Sequence, residues 1–502
     1  MAFPHRRPAA LAVLAASAPR DPPRQGAQQA MTDAPTTTVP STDVPDQLHP
    51  LPACRLARLI GKEPDEWTVD DLAGAVGALG IRLVSLMHVG GDGWLKTLDF
   101  VPRDLPHLRE VLSFGERADG SSLFGALGVP VTASDVVLRP RLSTAFVDPF
   151  ATYPTPVVFC GHHGRDGAPL PESPDTILRK AHDRLQAEAG VELHALGEVE
   201  FFLGKRPEEN DIYGAAERGY HASSPFVFGE ALRRRAMVLL SEAGIPLKYG
   251  HSEVGYIQAD DVDPRIWEQH EIELALQPLP QAADAVLITQ WVLRNLARQA
   301  GWRCAFEPIL RKGHAGSGLH FHLSPVVGGV HQKHTAPDGS LAGPSKWLIA
   351  GLVRFADVLM AFGNRSSTSF VRLTQAKEAP SSVTWGRYNR KALVRLPIVA
   401  ADAQGRSVSP ETVEFRLPDG SAHPHLLLAG IAQAMLAGRS FDDIDALLER
   451  TAVGTPASQA VAVPRMFLEV ANALRDHRAP LEAGQVFPPH VIERTIEALQ
   501  QL

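Results

Sequence analysis

Apolar and polar positions alternate with a period of two in several stretches of the chain, and with the wider spacing of a helix in others. In "EWTVDDLAGAVGALG", Leu72, Val76 and Leu79 form a helical stripe. Thr68 with Asp71 reads as a capping pair at its start. "IRLVSLMHV", "GGDG" and "WLKTLDFV" predict two strands joined by a glycine turn, and "DVVLRPRLSTAFVDPF" and "TPVVFC" continue the strand pattern. "GHHGRDGAPLPESP" reads as a Gly/Pro linker. After it, "DTILRKAHDRLQAEAG" has an Asp start, a stripe of Ile177, Leu178, Ala181 and Leu185, and a stop at Gly190. "PQAADAVLITQWVLRNLARQAG" predicts a long amphipathic helix, and the last stretch of about 80 residues reads as mostly helical. No internal repeat is visible.

These elements imply an α+β protein with three parts. Residues 1–50, rich in Pro, Ala, Thr and Gln, have little to bury and are expected to be disordered. Residues 51–172 are expected to form a small sheet-rich domain, and 173–502 a larger mixed one. A chain of 502 residues is long enough for two such cores. Its 44% hydrophobic and 21% charged residues are ordinary for a globular protein, and a net charge of −7 offers nothing to nucleic acid. No apolar run approaches the roughly 20 residues a membrane span needs. Three scattered cysteines, Cys54, Cys160 and Cys304, exclude a disulfide framework and a thiolate metal site. "HRRPAALAVLAASA" has a weak signal-peptide character; the alternative is an over-extended start, with translation beginning at Met31.

The candidate chemistry lies on strands. In "LGEVEFFLG", Glu198 and Glu200 point to one face, an arrangement that by itself also fits a solvated sheet face. "KYGHSEVGYI" adds Glu253, and "WEQHEIELAL" adds Glu271 and Glu273. In "GHAGSGLHFHLS", Leu319, Phe321 and Leu323 mark one greasy face, leaving His320, His322 and Ser324 on the other, directly after three glycines. "ETVEFRLPD" repeats the pattern with Glu414 and Arg416 opposite Phe415. Carboxylates with one or two imidazoles and no thiolate suit Mg²⁺ or Mn²⁺ rather than structural zinc, and such cations coordinate phosphate oxygens. Arg372, Arg387, Arg390 and Arg395 supply guanidinium forks that match phosphate and carboxylate. Arg395 sits between Val394 and Leu396, where an idle arginine is out of place.

Together these stretches resemble the glutamine synthetase family. "DGSS" at 119–122, Gly219-Tyr220, "EVEFF", "HSEVG", "GSGLHFH", "VRL…EAP", "NRKALVRLP" and "VEFRLPD" occur in that family's order, over residues 80 to 440 or so. The resemblance implies a β-grasp-like N-terminal domain, then a catalytic domain with a curved antiparallel sheet flanked by helices. It implies ATP and two or more Mg²⁺ (or Mn²⁺) as cofactors. One ion would be held by Glu200, Glu253 and Glu271, the other by Glu198, His320 and Glu414. His322, Ser324 and Arg395 would face the nucleotide, and Arg390 the transferring phosphoryl group. Glutamate would be gripped by Arg372, Arg416 and the backbone at Gly316. Asp119 of an adjoining subunit, with Tyr220 and Glu253, would hold ammonium, and Glu378 would be the flap over the intermediate.

The resemblance implies a cytoplasmic homo-oligomer with active sites between subunits, a dodecamer of two hexameric rings. A cytoplasmic nucleotide in turn favours the start at Met31. The implied reaction joins glutamate and ammonia through γ-glutamyl phosphate. A larger amine such as a polyamine or ethanolamine is the nearest rival. A metal-dependent hydrolase and a non-catalytic sensor stand further off. Three departures bear on the acceptor and nucleotide. Ala315 stands where the family has Asn, and Thr412 where it has Arg. The chain between Glu253 and Glu271 is also longer, with "YIQADDVDPRIW" expected as an extra loop beside the amine pocket. The extra length leaves Glu273 as an alternative to Glu271.

Overall fold

The alternation of "ELHALGEVEFFLGK" is that of a strand buried on both faces, and Glu192–Lys205 forms the middle of the larger sheet. Leu193, Ala195, Val199, Phe201 and Leu203 face one way, into the main core. Gly197 continues that face: a Cβ there would stand 2.9 Å from Val286 of the helix Leu279–Gln299, so the glycine allows the helix to lie close on the sheet. The opposite face carries the polar side chains treated below. The structure, a computed structural model, describes residues 54–502 apart from 210, 212–216, 337, 376–377, 405 and 455–460. The expectations for residues 1–50 and for Met31 lie outside the described residues.

Seven strands run in the order Trp385–Arg387, Val394–Leu396, Val413–Phe415, Leu319–Val327, Glu192–Lys205, Ile266–Leu274 and Leu247–Ile257. All neighbours are antiparallel except the first pair. Helices Pro174–Ala189, Leu279–Gln299, Gly343–Arg354 and Pro424–Gly438 supply the apolar residues that cover the sheet's other side. Helices Phe467–Asp476 and Pro489–Gln500 extend this layer at the C-terminal end. The fold is α+β, as expected.

The N-terminal sheet has six strands among the described residues. Its central pair, Val84–Val89 and Pro156–His163, is parallel; Leu95–Phe100 and Asp135–Pro140 are antiparallel to these, and Glu116–Asp119 is antiparallel to Asp135–Pro140. The expected hairpin forms, with Leu95–Phe100 paired to Val84–Val89. The Thr68 cap is present and reciprocal: Asp71 N–H donates to Thr68 Oγ1 at 3.2 Å, and Thr68 N–H to the Asp71 carboxylate at 2.9 Å.

Two local expectations need correction. His162 and His163 belong to a strand, not to a linker. They are paired with Leu138 and Val137, and ladder hydrogen bonds outweigh the glycines that flank them. The helix expected to start on Asp175 starts at Pro174, with Ser173 at the N-cap, and ends as expected on Gly190 in the left-handed conformation. Asp175 is instead buried in an ionic cluster. Arg141 lies 3.7 Å from Asp175 and 2.8 Å from Asp284, which also accepts from His425 at 3.0 Å. The cluster ties Arg141, which follows a strand of the N-terminal sheet, to three helices of the larger layer. Arg141→Ala would leave buried Asp284 without its guanidinium and Asp175 with Arg179 alone, and is expected to cost about 3–5 kcal/mol in urea unfolding.

Among the described residues no helix is long and apolar enough to cross a membrane.

Candidate functional site

Strand register builds the site. His320 lies opposite Glu198, and Glu198 opposite Glu273, which faces Tyr249. One step along, Glu200 lies opposite Glu271, and Glu271 opposite His251. In the other direction His322 lies opposite Glu414, and Glu414 opposite Arg395. Period two and antiparallel pairing therefore stack carboxylates, imidazoles and a guanidinium in rows on one sheet face. Their apolar alternates, Leu319, Phe321, Leu323 and Phe415, are at most 1% exposed on the other face.

Glu253 reaches this face by a different device. The hairpin Leu247–Ile257/Ile266–Leu274 shifts register between Ser252 and Tyr256, and Glu253 lies in that irregular stretch. The extra loop expected at "YIQADDVDPRIW" is mostly the end of this hairpin: Tyr256 and Ile257 pair with Glu268 and Trp267. Its tip is pinned by Arg311, which donates to Asp260 at 2.8 Å. The loop does not line the cavity, because continued pairing carries it away from the sheet face that does.

The rows open into a cavity of about 320 Å³. Glu198, Glu200, Tyr220, Glu253, Glu271, Gly316, His320, Arg372, Glu378, Arg390, Arg395, Glu414 and Arg416 all line it. A second cavity of about 700 Å³ adjoins it and shares Glu198, Tyr249, Arg390 and Arg395; His322 lines this one. Two predicted residues are elsewhere. Ser324 is buried behind the site, donating to the Glu411 carbonyl at 3.1 Å and paired with His331 at 2.9 Å. Asp119 is exposed at the edge strand of the N-terminal sheet and lines neither cavity. Hydrogen bonds from Ser122, Ser121 and Ser134 hold its carboxyl below the usual range.

The carboxylates are crowded. Glu198 accepts from His320 Nδ1 at 2.8 Å and pairs with His322 Nε2 at 2.9 Å. Burial opposes its ionisation, but the two imidazoles prevail and hold its pKa well below normal. His322 is correspondingly raised: burial disfavours its charge, and the Glu198 carboxylate outweighs that. Its Nδ1 is within 2.8 Å of Thr412 Oγ1, so the residue where the family has Arg here holds an imidazole instead. Glu253 has no such counter-charge. Burial, with the neighbouring charge of Glu200, pushes its carboxyl up to about 8. Burial and the charges of Glu198, Glu200 and Glu253 also push Glu271 well upward. Glu200 accepts from Gln269 Nε2 and Gly318 N–H, both at 2.9 Å. Arg395 and Arg416 both pair with Glu414, Arg416 at 2.9 Å.

Among the described residues three groups of side chains have ligand atoms within 4.8 Å of one another: Glu198, His320 and Glu414; Glu198, Glu273 and His322; His251, Glu253 and Glu271. The first is the expected trio. In the third, His251 stands where Glu200 was expected, 3.3 Å from Glu271 and 3.6 Å from Glu253. The pattern of the sequence did not single out His251, although it lies two residues before Glu253 and shares its strand. Glu273, the alternative to Glu271, is fully buried and bound to Lys248 at 2.6 Å. Oxygen and imidazole donors without thiolate, with Glu253 and Glu271 pushed up by burial and by neighbouring carboxylates, fit hard divalent cations.

Residues 171–501 match the family model described as glutamine synthetase, catalytic domain. A glutamine synthetase of Mycobacterium bovis is 32% identical over 365 residues, covering 71% of this chain and 77% of that protein. The cryo-EM structure of Plasmodium falciparum glutamine synthetase superposes with a TM-score of 0.72 at 19% identity, covering 87% of this chain and 95% of the other. A structure of a GmaS/ADP complex gives 0.66 at 19% identity, over 86% and 95%. The chain belongs to the glutamine synthetase family.

Proposed function

We propose that this protein is an ATP-dependent ligase that forms a γ-glutamyl amide from glutamate and ammonia through γ-glutamyl phosphate. One observation carries the reading. The Glu198–His320–Glu414 trio sits where a cavity lined by Arg372 and Arg416 meets a second one lined by His322, Arg390 and Arg395. An amino acid in the first cavity and a triphosphate in the second would meet at the carboxylates. The existence of an ADP complex of the structural neighbour GmaS supports a nucleotide in the second.

Mg²⁺ or Mn²⁺ ions bound by these carboxylates and imidazoles would offset the charge of the phosphate oxygens. Arg372 and Arg416 orient the glutamate. Its γ-carboxylate oxygen attacks the terminal phosphorus of ATP, and the bond to ADP breaks. Arg390 and Arg395 face the phosphoryl group in flight, where charge stabilisation matters most. The amine nitrogen then attacks the acyl carbon, phosphate leaves, and the amine gives up a proton to a carboxylate. Glu378, 3.9 Å from Arg390, lies at the mouth to keep water from the acyl phosphate. Tyr220 and Glu253 hold the ammonium with the partner subunit's Asp119. Asp119 lines neither cavity in its own chain, which supports a site shared between subunits of a ring.

One feature favours a larger amine as a second reading. Tyr220, at the acceptor side, is 48% exposed, leaving room for a substituent on the nitrogen.

Steady-state assays with ATP, Mg²⁺, glutamate and a panel of ammonia, ethanolamine, methylamine and diamines separate these readings. Glutamate-dependent phosphate release saturating with ammonia supports the first, and saturation only with a substituted amine supports the second. Turnover without ATP would point to a hydrolase and refute both. Shared sites carry their own prediction: mixed oligomers of Asp119→Ala and Glu198→Gln chains should recover activity that neither variant shows alone, up to about a quarter of wild type if partners mix at random.

A further inference from the structure

We infer that Glu217 is a specificity-determining residue that recognises the α-ammonium of the amino-acid substrate. This rests on the proposed ligase reading and assigns a role to a residue outside its machinery. Glu217 lines the main cavity, yet belongs to none of the groups that could hold a metal among the described residues. Its backbone has φ of +59°, a left-handed conformation uncommon for a side chain of this kind. That geometry sends the carboxylate to the glycine segment before His320. One oxygen accepts from Ala315 N–H at 3.1 Å, and the other lies 3.2 Å from His314 Nδ1.

The surroundings match an amino-acid zwitterion. Gly316, the next residue, lines the same lobe, and a Cβ there would stand 3.3 Å from Arg372 Cγ. A Cβ on Gly318 would stand 2.9 Å from both Arg372 Nη2 and Glu200 Oε1. Arg372 is 5% exposed and donates to the Leu417 and Arg416 carbonyls and to His320; no carboxylate is in ion-pair contact with it among the described residues. Arg372 and Glu200 thus meet at Gly318, and Glu217 joins the same cavity wall through the Ala315 N–H, next to Gly316. A guanidinium takes the α-carboxylate of a substrate, and carboxylates take its α-ammonium. Glu200 is turned toward Gln269, Gly318 and His320, in the proposed metal set. Glu217 is the carboxylate placed to take the ammonium, and Ala315 has no polar side chain to do the same work.

The test compares L-glutamate with glutarate, which lacks the α-amino group, by calorimetric titration into wild type, Glu217→Gln and Glu217→Ala protein in Mg²⁺ and ADP. Losing a charged hydrogen bond should weaken glutamate binding about tenfold or more in both variants, with glutarate changed less than about twofold. In turnover, KM for glutamate should rise while KM for ATP and for the amine stay within about twofold. Unchanged ADP binding certifies the fold of each variant, and Glu217→Gln, which keeps the shape, stands in if Glu217→Ala misfolds. Equal losses for glutamate and glutarate would overturn the assignment. So would a rise in the amine KM with the glutamate KM unchanged. Absent ligase turnover in wild type, with the glutamate preference intact and dependent on Glu217, would count against the proposed reaction alone.

Discussion

Glu198→Gln is expected to lower turnover by about a thousandfold or more, the scale of losing metal-held charge stabilisation at a phosphoryl-transfer centre. Glu198 is the carboxylate common to two of the three candidate metal groups, and it anchors both imidazoles of "LHFH". Glutamine keeps the shape but removes the charge and half the ligand capacity. It also strips His322 of the partner that raises its pKa. Two independent readings check the cause. Glutamate-dependent phosphate release should collapse, and the increase in melting temperature produced by Mg²⁺ should shrink with it. A variant that stays within about tenfold of wild type in turnover, or gains as much stability from Mg²⁺, would remove the site from this sheet face.

The second large effect concerns stability of the metal-free protein. Glu253 has its folded carboxyl at about 8 against an ordinary value of 4.5, because of burial and the charge of Glu200. The folded state therefore holds a proton that the unfolded state releases above about pH 4.5, so stability is lost as pH rises through this window and levels off above 8. Glu271 is shifted in the same direction. Glu198, shifted downward, acts below 4.5 and does not mask the trend.

Buried neutral histidines act oppositely but at lower pH. His88 and His162, brought down to about 4 and about 3 chiefly by burial, lose stability only as pH falls below 6.5. Between pH 6.5 and 8 the groups shifted upward remain, Glu253 with Glu271 and His322, and all three lose stability as pH rises. There one such carboxyl costs about 2 kcal/mol, at 1.36 kcal/mol per pH unit. Urea unfolding in chelator should show this decline, and Glu253→Gln should make it shallower and stabilise the metal-free protein at about pH 8. Mg²⁺ at a hundredfold excess over its Kd should restore about 2.7 kcal/mol to wild type, and less to the variant. Stability that is flat or rises over this interval in chelator would show that the carboxylates are not crowded.

The two effects together describe a site that opposes folding until its cations arrive. The same crowding makes Glu253→Gln stabilising and inactivating at once.

Alternation along single strands was enough to pair Glu198 with Glu200, to place His320 and His322 opposite Leu319, Phe321 and Leu323, and to separate Glu414 and Arg416 from Phe415. The physical reason is that a strand has period two, so each residue's face follows from its neighbours alone. Capping and stopping signals were legible for the same local reason: Thr68 with Asp71, and Gly190, act within one helical turn. Helix starts were less secure, since Asp175 is drawn into an ionic cluster by Arg141, a residue far off in sequence. Tertiary structure alone decided which strands lie side by side. The register that sets Glu198 against Glu273 and Glu271 against His251 joins segments tens of residues apart, and no local pattern encodes it. A register shift in the hairpin decided that Glu253 faces the cavity, and a left-handed backbone decided that Glu217 does. Local alternation therefore determined the kind of side chain each strand presents. The convergence of those side chains, and with it their perturbed charges, arose only when long-range pairing buried them around one cavity.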